Sequence, residues 1–141
     1  MTTDFVSAKA LLPTGHKQTA NLMPALFSTV GEQAQYRVIE FFTATIRNPN
    51  TRLAYFRAVH NFSRWCEQHE FDLAHINPVI IARYVEEISQ ERSVPTVKQH
   101  LSALKMLFDH LITGHIIPTN PAAAVKPPRY VITQGKTPVL T

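Results

Sequence analysis

An all-α fold follows from three features of the sequence. Apolar residues recur at spacings of three and four in four separate stretches, the period of one buried helix face. Asn, Pro and Gly punctuate the gaps between those stretches, where helices start and stop. No stretch of useful length alternates polar and apolar residues as a half-buried strand would. The prediction is four main helices and a small fifth, joined by short connections into a bundle.

The first helix is expected over residues 32–46, with Val38, Ile39, Phe42 and Ile46 facing inward. Arg47-Asn48-Pro49-Asn50 ends it, because proline disfavours a helical residue before it. Asn50 is the expected N-cap of a second helix, from Thr51 to His69. Its inward stripe is Tyr55, Val59, Phe62 and Cys66, with Ala58 and Trp65 beside it, and Arg57, Asn61 and Arg64 opposite. Asn77-Pro78 joins a capping side chain to a proline at the first helical position. It opens a third helix over 78–91 that buries Ile81, Tyr84, Val85 and Ile88 and exposes Glu86, Glu87 and Glu91.

The fourth helix begins at Pro95. Val97, Leu101, Leu104, Phe108 and Leu111 form its apolar back, while Lys98, Gln99, Ser102 and Lys105 occupy the other surface. Gly114 should end it with a positive φ. After Asn120-Pro121, Ala122 to Val125 read as the short fifth helix, stopped by Pro127-Pro128. Residues 1–30 show no sustained period and read as a flexible N-terminal arm, with a short helix around Asn21 to Phe27. The helical domain is assigned to 31–128, and residues 129–141, with Gly135 and Pro138, to a linker.

A 141-residue chain with 45% hydrophobic residues suits one domain with tails. No apolar run approaches the ~20 residues that span a bilayer, and no basic start leads into an apolar block. No membrane contact and a cytoplasmic location are therefore expected. A lone cysteine, Cys66, excludes an internal disulfide framework and reads as packing. His60, His69 and His75 lack ligand spacing, and His110 and His115 straddle a helix end, so neither metal nor cofactor is expected. There is no glycine-rich phosphate loop and no Ser/His/Asp arrangement, and no small-molecule ligand is implied.

The formal charge is only +4, but it is segregated. Arg47, Arg52, Arg57 and Arg64 stand in an acid-free run from Phe41 to Cys66, and Arg92, Lys98 and Lys105 in another from Arg92 to Phe108. Acids cluster at Glu67 to Asp72 and at Glu86 to Glu91, so the third helix should be the side turned away from nucleic acid. Such separation is the footprint of a polyanion-binding face. It is compatible with a DNA-binding domain, a helical module for an acidic protein partner, or a free-standing DNA-binding regulator.

Ordered local signatures favour the first reading. Asn50-Thr51-x-x-x-Tyr55-x-Arg57 opens the second helix, and Ile76-Asn77-Pro78 precedes the third. Ser93-Val94-Pro95-Thr96-Val97 leads into His100-Leu101-Ser102-Ala103-Leu104, and Gly114-His115-Ile116-Ile117 leads to Asn120-Pro121-Ala122. Over about residues 32–128 this resembles the N-terminal core-binding (SAM-like) domain of tyrosine recombinases and phage integrases.

The resemblance implies half of a C-shaped clamp around duplex DNA in the bacterial cytosol, with the second and fourth helices facing the major groove. It implies a separate catalytic domain carrying an arginine, a lysine, a His-x-x-Arg pair and a tyrosine nucleophile. Partner protomers would join in a synaptic tetramer at full length. None of those catalytic elements is found here, so the chain alone is not expected to be an enzyme. Thr137-Pro138-Val139-Leu140-Thr141 resembles the entrance to the catalytic domain, as in a fragment cut at the linker. Tyr36, Tyr55 and Tyr84 are explained by core packing and Tyr130 by a proline turn.

Carried over by position, Thr51, Arg57, Thr96 and Gln99 should face DNA, with Gln99 reading a base because an amide pairs bidentately with adenine. Charge and reach add Arg47, Asn48, Arg52, Lys98, Ser102, Lys105 and Lys126, and the free N–H groups opening the second helix are a further phosphate site. Ala103 stands where a relative carries a polar residue, so its own approach to DNA should be apolar or absent.

Overall fold

In the computed structural model, which describes residues 23–128, the helix predicted from Pro95 onward is the axis of the domain. Among the described residues five α-helices follow in order: α1 (Ala25–Ser28), α2 (Glu32–Glu40), α3 (Pro49–Gln68), α4 (Pro78–Ser89) and α5 (Val94–Thr113). Helix α5 packs against α2, α3 and α4, and α3 also carries α1. No strand occurs among the described residues.

The apolar stripes meet as expected. Val97, Leu101, Leu104, Phe108 and Leu111 of α5 are all buried, together with Ala103 and Leu107. From α3, Val59, Phe62 and Cys66 are buried with Ala58 and Trp65, while Tyr55 is half-buried. Phe62 sits at the junction, 4.9 Å edge-on from Tyr84 of α4 and 6.4 Å from Phe108 of α5. Each such buried ring contributes on the order of 2–3 kcal/mol.

Four local details depart from the expectation. The first helix is α only to Glu40 and becomes a π-helix over Phe41–Thr45, closed by a bond from Ile46 N–H to the Phe41 carbonyl at 3.1 Å. The wider turn lets adjacent Phe41 and Phe42 both bury, their rings 5.1 Å apart and edge-on. Asn48, not Asn50, caps α3: its side chain accepts from Asn50 N and Thr51 N, with Pro49 in the first turn.

Helix α5 ends in paired bonds from Ile116 N to Leu111 O and His115 N to Ile112 O, a Schellman motif. The left-handed residue is His115 (φ 61°), and Gly114 has φ −86°. Gly114 is small for another reason: a Cβ there would stand 2.6 Å from Arg37 Nε.

The short helix expected at Ala122 to Val125 does not form, whereas the one expected around Asn21 to Phe27 is present as α1 (Ala25–Ser28). Residues 121–124 form turns, clasped to α5 by Asn120, whose amide donates to Lys105 O and Asp109 Oδ1 and accepts from Ala122 N. Helix α1 instead buries Leu26 and Phe27, and its Leu26 N–H donates to the buried Ser63 Oγ of α3 at 2.8 Å. Residues 23–30, expected in the flexible arm, are therefore partly core. The rest of that arm, residues 1–22, and the expected linker, 129–141, lie outside the described residues.

Candidate nucleic-acid interface

Helices α3 and α5 cross so that their outward rows face a common cleft. Along α3 the steps of three and four place Ala54, Arg57, Asn61 and Arg64 on one surface. With His60 they meet Gln99 and His100 of α5 and Arg92 of the α4–α5 link around a cleft of about 360 Å3. Arg57 and Gln99, predicted from separate stretches of sequence, thus line the same cavity. Among the described residues no ion pair engages Arg57, Arg64 or Arg92, and no hydrogen bond holds the Gln99 amide. Three guanidinium groups therefore line the cleft without a carboxylate in ion-pair contact.

The cleft is braced from beneath. Asn61 Nδ2 donates to the Tyr84 hydroxyl at 2.8 Å, and Asn61 Oδ1 accepts from Arg92 Nη2 at 3.4 Å. Burial pushes the Tyr84 hydroxyl up to about 12, against the opposing pull of the Asn61 bond and the Arg92 charge. A phenol so held is a strut, not a nucleophile. Tyr55 is half-buried, but Tyr36, expected in the core, is 40% exposed; Tyr130 lies outside the described residues.

The other predicted contacts divide. Lys98 and Ser102 are exposed and Lys105 half-buried on the outer flank of α5, about 60–120° round the helix from Gln99. Thr96 is tied into the helix start, its hydroxyl 2.9 Å from Ser93 Oγ. At the head of α3, Arg47 and Thr51 are exposed. Asn48 Oδ1 is spent on the cap, and the N–H groups of Asn50 and Thr51 already have it as partner, so they are not free for a phosphate.

Two cations leave the site. Arg52 turns away, donating from Nε and Nη2 to Ile46 O at 3.3 and 2.8 Å, beside an apolar groove with Leu53 and Met23. Lys126 lies against the Val79, Ala82 and Glu86 side of α4, opposite the face that carries Tyr84 and Glu87. Ala103 is fully buried and has no outward contact to make.

The α4 acids lie nearer the cleft than their place in the sequence suggests, and two cleft residues stand outside the predicted set. Glu87 and Glu91 share a groove with Arg64 and Arg92, next to the cleft, so only part of the α4 acidic face is remote. Glu87 is also occupied, accepting from Trp65 Nε1 at 2.9 Å. Arg92 and His60 are the overlooked members of the cleft. The first opens an acid-free run and the second sits between Arg57 and Arg64 in the α3 row, signals that the charge pattern already contained.

His100 is 6% exposed. Burial and the nearby Arg92 charge both push its pKa below the ordinary imidazole range, which favours the neutral ring. Among the described residues no cluster of His, Cys, Asp or Glu is placed to hold a metal ion, and no helix is long and apolar enough to cross a membrane.

The family model described as phage integrase, N-terminal SAM-like domain, matches residues 39–115. That span runs from the end of α2 through α5 and includes every residue lining the cleft. No curated protein and no solved structure gives a significant match. With more than half of the chain matched, over the helices that build the cleft, the protein belongs to the phage integrase N-terminal SAM-like domain family of tyrosine recombinases.

Proposed function

We propose that this domain binds duplex DNA for a tyrosine recombinase, laying the mouth of the α3–α5 cleft against the major groove. The observation that carries the reading is the convergence of Arg57 and Gln99 on one cavity whose three arginines lack acidic partners. Arg57, Arg64 and Arg92 hold backbone phosphates, and Lys98 and Lys105 extend the cationic track along α5. Gln99 is the base reader: its amide is free, and adenine offers a bidentate match in the major groove. The domain positions DNA, and cutting and rejoining belong to a separate catalytic domain that acts with partner protomers.

Salt dependence tests this directly. Log affinity should fall with log salt by about 0.9 for each phosphate neutralised, a slope of roughly −4.5 for these five cations. Arg57→Ala should make the slope shallower by about one for every duplex sequence, while Gln99→Ala should leave it and relax preference at one base pair. A slope near zero, or a Gln99→Ala variant with unchanged preference at every position, contradicts the assignment.

A further inference from the structure

The cleft contains two imidazoles that phosphate contacts by arginine do not explain. His100 Nδ1 and His60 Nδ1 are both buried and without a hydrogen-bond partner. His60 stacks on Phe56, ring centroids 5.8 Å apart, and both histidines line the cavity beside Arg57, Arg64 and Arg92. An unpartnered buried polar atom is costly, and two in one wall mark a place built for a group absent from the free protein.

The charges around the rings are of one sign. Arg57 and Arg64 come from α3 and Arg92 from the link, and Gln99 on α5 is neutral. From α4, Tyr84 is uncharged, and Glu87 and Glu91 stand not in the cleft but in the neighbouring groove, which they share with Arg64 and Arg92. An imidazolium also needs an acceptor for each of its two N–H groups, and Nδ1 has none. Both deficits are met by an anion with acceptor oxygens.

We propose that a DNA backbone phosphate seated between α3 and α5 is bound together with a proton, taken up by His100 and assisted by His60. This rests on the DNA reading above and adds to it that binding is proton-linked. The sign follows from linkage. In the free protein burial and Arg92 hold His100 low, and a phosphate beside it raises its proton affinity. The complex then binds more protons than the free domain, so affinity rises as pH falls through the window between the two values.

The test uses the full chain, a short mixed-sequence duplex, and fixed ionic strength. Between pH 7.5 and 6.0 affinity should tighten by about threefold to tenfold, at most tenfold per pH unit for each linked proton. His100→Gln should abolish most of that gain. His75→Gln should retain it, because that exposed ring pairs with Asp72 outside the cleft. If His100→Gln fails to fold, the His100 ring resonances of the unaltered chain give the answer: their titration midpoint should move up when duplex is added and stay put with inorganic phosphate at matched ionic strength.

A pH-independent affinity, an unchanged gain in His100→Gln, or an immobile midpoint overturns the proposal while leaving DNA binding intact. An equal move with inorganic phosphate overturns the duplex backbone as the source of the group. Absence of duplex binding at every pH removes the DNA reading itself.

Discussion

Burial pushes the Cys66 thiol up to about 12, far above the range where a thiolate reacts. Cys66 should resist a thiol reagent at pH 8 in the native protein and react at once in denaturant; rapid native labelling would place it elsewhere than the core. Glu40 shows the opposite balance. Burial alone would raise it, but Arg37 Nη1 at 2.9 Å and His110 Nε2 at 3.1 Å outweigh burial and bring its carboxyl below the usual range. A lowered carboxylate stabilises the fold above the unfolded value, and that contribution is lost as pH falls through the folded value. Glu40→Gln should therefore lower Tm at pH 7, and the gap to the parent should narrow as pH falls below the ordinary carboxylate range; a constant gap would mean that shape, not charge, matters there. Residue identity was legible from sequence where helical period alone settles which way a side chain faces, as for Arg57, Gln99 and Cys66. It was not legible for Arg52 and Lys126, because a neighbouring carbonyl in one case and a chain reversal in the other decide where the charge goes.

At the scale of elements, the main helices, their inward stripes and the first-turn prolines Pro78 and Pro95 were readable from pattern, whereas Pro49, read as a breaker ahead of an Asn50 cap, lies in the first turn of α3. The π-helix was not: adjacent Phe41 and Phe42 fit either an α-turn with one ring exposed or a wider turn with both buried, and only packing against α5 and α3 chooses. Helix ends also slipped by a residue or two, because local backbone bonds close them at left-handed residues that are not glycine. Helix α3 ends in the same motif as α5, with Phe71 N bonded to Cys66 O and Glu70 left-handed at φ 60°. A side chain in that conformation costs on the order of 1 kcal/mol, partly offset by the backbone freedom that glycine loses on folding. Glu70→Gly and His115→Gly should each stabilise by roughly 0.5 kcal/mol in urea denaturation. Gly114→Ala should destabilise by about 1 kcal/mol by driving into the Arg37 side chain. Stability unchanged in all three would show that the ends are strained by something other than φ and space.

For the whole molecule, α5 is the scaffold that fixes the rest. Its buried back organises α2, α3 and α4, and the same packing brings its outward edge level with the Arg57–Arg64 row of α3. Core and site are thus one arrangement: the stripe that hides Leu101, Leu104 and Phe108 is what turns Gln99 toward the cleft. The short helix expected around Asn21 to Phe27 is present at Ala25–Ser28, but its burial was not legible: four residues carry no period, yet Phe27 is 1% exposed and Leu26 N–H donates to Ser63 Oγ of α3. Amide chemical-shift mapping during titration with a short duplex decides whether the α3–α5 cleft is the face that meets DNA. Shifts should concentrate at residues 57–64, at Arg92 and at Gln99–His100, and be small at Val79, Ala82 and Leu53. Shifts confined to the Val79–Glu86 side of α4, or none at saturating duplex, would contradict it.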